Sequence, residues 1–233
     1  MKKLLLLALL AVGMTAHAET IVTNDMDAET NNGGITFDDD SNWSMHFYVG
    51  VDIPTGAPEG VDFAPFRSWD IDWTVFQYDF TPEKWKTTFS VGAGINWRNY
   101  TLSGHDKLFY KGEDDVVRII EREGKWSELS SRIHTLGISF PVLIKQSFTK
   151  DLALSLGVQV NWNVLCRLNN YYEVEDEEVS YMTKRIGERP LTVDLMGILH
   201  ISKVGVYCKY SPMSVLKTDR GPEFKSISLG VYF

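Results

Sequence analysis

Between Leu152 and Arg167 apolar and polar residues alternate without a break. Leu154, Leu156, Val158, Val160, Trp162 and Val164 fall on one side of a pleated strand, and Ser155, Gly157, Gln159, Asn161 and Asn163 fall on the other. A helix would spread both sets around its axis, so the pattern demands a strand with two chemically different faces. The period recurs along the chain. Met45, Phe47, Val49, Val51 and Ile53 oppose Ser44, His46, Tyr48, Gly50 and Asp52, and Phe89, Val91, Ala93, Ile95 and Trp97 oppose Thr88, Ser90, Gly92, Gly94, Asn96 and Arg98. Leu136, Ile138, Phe140, Val142 and Ile144 oppose Thr135, Gly137, Ser139 and Lys145.

Shorter segments agree. Leu191, Val193 and Leu195 oppose Thr192 and Asp194, while Val204, Val206, Cys208 and Tyr210 oppose Gly205, Tyr207 and Lys209. Within Phe224 to Phe233, Ile227, Leu229, Val231 and Phe233 oppose Ser226, Ser228, Gly230 and Tyr232. One strand changes phase: Trp69, Ile71 and Trp73 are followed by Phe76, Tyr78 and Phe80, a slip that a β-bulge near Val75 absorbs. The expectation is eight strands in one all-β, antiparallel, up-and-down barrel over 43–233. Three connections are tight (81–85, 149–151 and 202–203), and four are long and polar (54–68, 103–131, 169–189 and 216–223). Short turns on one rim and long loops on the other are the pattern of a transmembrane barrel with both termini at the short-turn, periplasmic side.

Alternation alone does not say which face points inward. An exported lipocalin-like carrier would show the same period with the sense reversed. Composition favours the membrane sense. The apolar face is a uniform band of Leu, Val, Ile and aromatics, while the other carries Gly and Ser beside Asp52, Asp70, Asp72, Arg98, Lys145, Arg167, Asp194 and Lys209. The cramped interior of an eight-stranded barrel needs small residues beside paired polar ones, and closure leaves no strand edge unpaired in lipid. Trp69, Trp73, Trp97 and Trp162 lie toward the long-loop ends, and Phe80, Trp85, Phe89 and Phe233 toward the short-turn ends, as two interfacial girdles would.

The chain's start fits export. Met1-Lys2-Lys3, the apolar run Leu4 to Val12 and Ala16-His17-Ala18 read as a cleaved leader over 1–18. Residues 19–42 form an acidic, polar lead-in expected to be flexible, in which Asp38-Asp39-Asp40 lacks the glycine and distal glutamate of a calcium loop. Removing Lys2 and Lys3 with the leader takes the formal charge from −8 to −10, a balance unsuited to nucleic acid. Cys166 and Cys208 fall on lipid-facing positions of strands that are not neighbours, so free thiols packed as small hydrophobes are expected rather than a bridge.

Export signal, eight alternating strands and the terminal Leu229-x-Val231-x-Phe233 together resemble the small outer-membrane barrels of the OmpA/OmpX kind. The chain particularly resembles the outer-membrane β-barrel domain proteins of Bacteroides-type bacteria. The resemblance covers 43–233. It implies a place in the outer membrane among its lipids, and it implies that Leu229, Val231 and Phe233 are the signal read by the barrel-assembly machinery.

Both faces carry residues with chemical potential. A lipid A-modifying enzyme would need a nucleophile and base near the rim; His134, with Ser130 and Ser131 before it, stands there without an acid fixed by spacing, and an anchored rim histidine is the expectation. His46 and His200 fall on the polar face without a metal-ligand set, so hydrogen bonding in the lumen is expected of them. Asp70, Asp72 and Asp79 with Arg98 or Arg167 read as a structural salt-bridge network. No catalytic residue, cofactor or metal is expected. The leading expectation is a non-enzymatic barrel filled by side chains, with a structural or surface role through loops 103–131 and 169–189; narrow-pore transport, lipid A modification and a soluble carrier stay open as alternatives.

Overall fold

The computed structural model describes residues 35–36, 42–59, 61–82, 85–104, 106–121, 129–174 and 177–233. The leader, its cleavage point and all of the lead-in but 35–36 and 42 lie outside them, as does Asp38-Asp39-Asp40. Twelve strands follow in chain order: β1 (Ile35–Thr36), β2 (Trp43–Thr55), β3 (Trp69–Phe80), β4 (Thr87–Thr101), β5 (Lys107–Lys111), β6 (Val117–Glu121), β7 (Ser130–Ser147), β8 (Leu152–Val174), β9 (Glu177–Lys184), β10 (Leu191–Ile201), β11 (Val204–Ser211) and β12 (Lys225–Tyr232).

Eight of them close a barrel in the order β2-β12-β11-β10-β8-β7-β4-β3, with β3 returning to β2, and every neighbouring pair is antiparallel. Closure satisfies the backbone groups of both ends of the sheet, because β12 pairs with β11 on one side and with β2 on the other. The all-β, eight-stranded architecture expected from the alternation is the one observed, and the described residues contain no α-helix.

The phase slip in β3 falls where the pattern requires it. Thr74 pairs with Gly94 and Phe76 with Ala93, which leaves Val75 as the bulged residue and keeps Trp73 and Phe76 on the same outer face. At the tight end, β10 turns into β11 over two residues, with Ile201 opposite Val204 and Ser202 at φ 57°. A left-handed residue matches the twist of so short a hairpin.

The long connections are more ordered than their polarity suggests. The stretch 103–131 contains the hairpin β5–β6, and in 169–189 strand β8 runs on to Val174 and turns back as β9, which pairs with it from Arg167↔Lys184 to Val174↔Glu177. The terminal strand begins at Lys225; Phe224 belongs to the interior beyond it.

Candidate functional site

Inward and outward faces are now fixed by exposure. Val91, Ile95, Phe140, Val142, Ile144, Leu156, Trp162, Leu195, Val206, Leu229 and Val231 are all exposed on the outside, while the alternate polar residues are buried. An apolar lumen, which a lipocalin-like carrier needs, is therefore not what this barrel has. Of the charged residues assigned to the interior, Asp52, Asp70, Asp72, Arg98, Lys145, Asp194 and Lys209 are buried there. Arg167 is not. Opposite β7, Leu136 pairs with Leu165 and Gly137 with Asn163, so Val164 is an extra residue on β8. Beyond it the faces exchange. Arg167 turns outward and Cys166, expected on the lipid side, turns inward and is buried. Cys208 stays outside and both thiols are free.

The lumen has three layers. The middle one is ionic. Lys209 on β11 reaches Asp70 at 2.9 Å and Asp72 at 3.2 Å on β3, the opposite wall. Arg98 on β4 binds Asp70 at 3.1 Å and grips Asp194 on β10. Neutral donors complete the carboxylates: Asn96 donates to Asp70 at 2.8 Å, Ser139 and Gln159 donate to Asp72 at 3.1 and 2.5 Å, and Asn161 and Ser211 donate to Asp194 at 2.6 and 2.7 Å. Three carboxylates thus face two cations across the barrel. Asp70, Asp72, Asp194 and Lys209 are 0% exposed, so no water-sized path touches them. Asp52 is equally buried, yet neither of its oxygens has a hydrogen-bond partner; Ser226 stands beside it outside bonding geometry.

Toward the short turns the filling is aromatic. Tyr207 packs edge-on against Tyr48 at 5.5 Å, and Tyr48 meets Tyr232 at 4.8 Å. Gly50 and Gly230 face each other where this cluster crosses the β2–β12 seam, and a Cβ on Gly50 would lie 2.4 Å from the Tyr207 hydroxyl. His46 hydrogen-bonds Ser44 at 2.8 Å and the Tyr232 hydroxyl at 2.8 Å, and His200 hydrogen-bonds Ser155 at 2.7 Å. Both histidines serve as lumenal hydrogen-bond partners, the role their phase implied.

Toward the long loops the lumen ends in an apolar cap, which the sequence reading missed. Tyr100, Ile133, Cys166 and Leu168 point inward from β4, β7 and β8 and meet residues from all four long connections, among them Phe63, Leu102, Phe109, Ile186, Leu216 and Phe224. A side chain fully buried in this way stabilises by about 1.5–3 kcal/mol. Polar bonds hold the β5–β6 hairpin over the mouth: Ser131 Oγ accepts from the Phe109 amide at 2.8 Å, and Asn170 donates to the Phe109 carbonyl at 2.7 Å. At its tip, hydrogen bonding from Arg118 holds the exposed Asp114 carboxyl down at about 2.

The same bonds settle the rim histidine's surroundings. His134 lies on the outer phase of β7, packed against Trp69 at 6.2 Å between ring centroids. Ser131 faces the other way, with its hydroxyl used by Phe109 and Asn170, and Ser130 accepts from Arg67 at 3.1 Å. No nucleophile is thus directed at the imidazole from the two serines before it. At the opposite rim, Leu229, Val231 and Phe233 share the outer face of the last strand, with Phe233 exchanging backbone hydrogen bonds with Phe47 at 2.7 and 3.1 Å. Neither a protein-family model nor a curated protein matches this chain.

Proposed function

We propose that this chain is a non-enzymatic, integral outer-membrane barrel whose lumen conducts nothing and whose work is done by the surface its long connections present. The observation that carries the proposal is the pairing of an outward apolar belt with an interior in which Asp70, Asp72, Asp194 and Lys209 are 0% exposed. An exposed apolar band circling the molecule has no place in water, whereas in a bilayer it is the required surface. On β7 the band runs from Leu136 to Ile144, which at about 3.4 Å per residue and a tilt of about 40° gives roughly 21 Å, near the height of an outer-membrane apolar zone. The leader pattern, the strand count and the Leu229-x-Val231-x-Phe233 end support the OmpA/OmpX-like resemblance and, with it, recognition of those three residues by the barrel-assembly machinery. Both termini are then periplasmic. Above the outer leaflet stand the capped mouth, the β5–β6 hairpin and the β8–β9 ribbon, available to a surface partner.

Two measurements test this. The membrane fraction should show heat-modifiable gel migration, as folded outer-membrane barrels do. Purified, refolded protein in a planar bilayer should give no steady conductance, and an open channel would defeat the filled-lumen reading.

A further inference from the structure

Exchange of faces at Val164 assembles a row of cations on the outside of the barrel. Asn99, His134, Arg167 and Lys184 stand side by side on β4, β7, β8 and β9, with Thr101, Arg132 and Asn169 in the row above. Directly paired residues on neighbouring strands share a face, with Cβ atoms about 4.5–5.5 Å apart. Immediately below lie Trp97, Leu136 and Val164, the exposed upper edge of the apolar belt. Arg67, on the turn before β3, is close enough to Arg132 to act on it electrostatically, and Arg132 and Arg167 both act on His134.

Among the described residues the row has no ion-pair partner: Arg67, Arg132, Arg167 and Lys184 form no such contact. Glu178, on the same ribbon, sits at the far end of β9. The Nε atoms of Arg132 and Arg167 and the Nδ1 of His134 are buried without a hydrogen-bond partner. Arg98 and Lys209 in the middle of the lumen are each paired with two carboxylates, so the outer row departs from that arrangement. Guanidinium groups gathered at close spacing with unused N–H donors fit a doubly charged group bearing several acceptor oxygens, and phosphate is the biological group of that description.

We infer that Arg132, His134, Arg167 and Lys184, with Arg67 alongside, bind the phosphate of an outer-leaflet lipid headgroup, while the lipid's acyl chains lie along Trp97, Leu136, Trp162 and Val164. The inference rests on the membrane reading above, because only there does this height on the barrel coincide with headgroups.

Native mass spectrometry of the refolded protein in neutral detergent tests it with three probes: dioleoyl phosphatidic acid, dioleoylglycerol and inorganic phosphate. Phosphatidic acid should remain bound, dioleoylglycerol should not, and R132Q/R167Q should weaken the retained lipid at least tenfold while K184Q weakens it less. An R118Q control, at a hairpin arginine already paired with Asp114, should leave binding unchanged. Equal retention of dioleoylglycerol, or undiminished binding by R132Q/R167Q, overturns the inference. So does inorganic phosphate binding as well as the lipid, which would mark a free-anion site. Heat-modifiable migration of each variant separates the possible failures: a variant with the wild-type shift that binds lipid normally sinks the headgroup site alone, whereas a wild-type chain soluble without detergent sinks the membrane reading itself.

Discussion

Replacing Lys209 by methionine removes one cation from the middle of the lumen and leaves its length and most of its volume. In the native protein its ammonium lies 2.9 Å from Asp70 and 3.2 Å from Asp72. At an effective dielectric of about 20, each contact is worth roughly 5–6 kcal/mol of attraction before desolvation is subtracted. Loss of the lysine leaves the fully buried Asp70, Asp72 and Asp194 facing Arg98 alone. Removing one partner of a buried ionic set costs about 3–5 kcal/mol, because the remaining charge keeps its desolvation penalty. With a urea slope of about 2 kcal/mol per molar, the unfolding midpoint should fall by about 2 M.

On the proposed membrane reading, the exposed tryptophans Trp73, Trp97 and Trp162 report the transition by fluorescence when the protein is refolded into vesicles, since unfolding would then transfer them from lipid to water. Lys209→Met combined with Asp72→Asn should recover part of the loss, because one uncompensated carboxylate is then gone while Ser139 and Gln159 still hold the side chain. A single variant within about 1 kcal/mol of wild type would refute the reasoning, since it would mean that the ionic layer is solvated or dispensable.

Other substitutions probe the remaining layers. Asp52→Asn should raise the urea midpoint, by about 1–2 kcal/mol in stability, because a fully buried carboxylate without a donor is exchanged for a neutral amide; a lowered midpoint would show that the charge is needed where it stands. Gly50→Val should cost at least about 2 kcal/mol and lower the refolding yield on gels, since even its Cβ would sit 2.4 Å from both the Leu229 carbonyl and the Tyr207 hydroxyl. Phe224→Ala should lose about 3–5 kcal/mol from the cap. It should nonetheless produce no conductance in a planar bilayer, because the ionic layer beneath remains shut; current through this variant would show that the cap alone closes the lumen.

The barrel was legible in the sequence because an eight-stranded wall has one polar and one apolar side at nearly every residue, and period two records both at once. The slip at Val75 was visible for the same reason: Trp73 and Phe76 belong to one face and have the wrong spacing for it. The β5–β6 hairpin was hidden because Leu108, Phe109 and Val117 are set among Lys107, Lys111, Asp114, Asp115 and Arg118, so that local composition resembles a solvated loop. Their burial comes from a distant partner, the barrel mouth, which no short window contains.

The bulge at Val164 was hidden by a cancellation. From Leu154 to Leu168 the even-numbered residues of β8 stay apolar without interruption, including Cys166. Below the bulge those positions face outward; above it they face inward. The interior changes from polar lumen to apolar cap at the same height, so two reversals leave the pattern unchanged. Only the register against β7, where Asn163 and Leu165 face consecutive residues, reveals the extra position. That one residue has two consequences at once. It delivers Cys166 and Leu168 to the cap that seals the lumen, and it sends Arg167 outward to join Arg132 and His134 above the belt. Sealing the barrel and charging its outer rim are therefore products of the same backbone event, which is why a polar-looking position in the strand pattern marks the outer surface and not the interior.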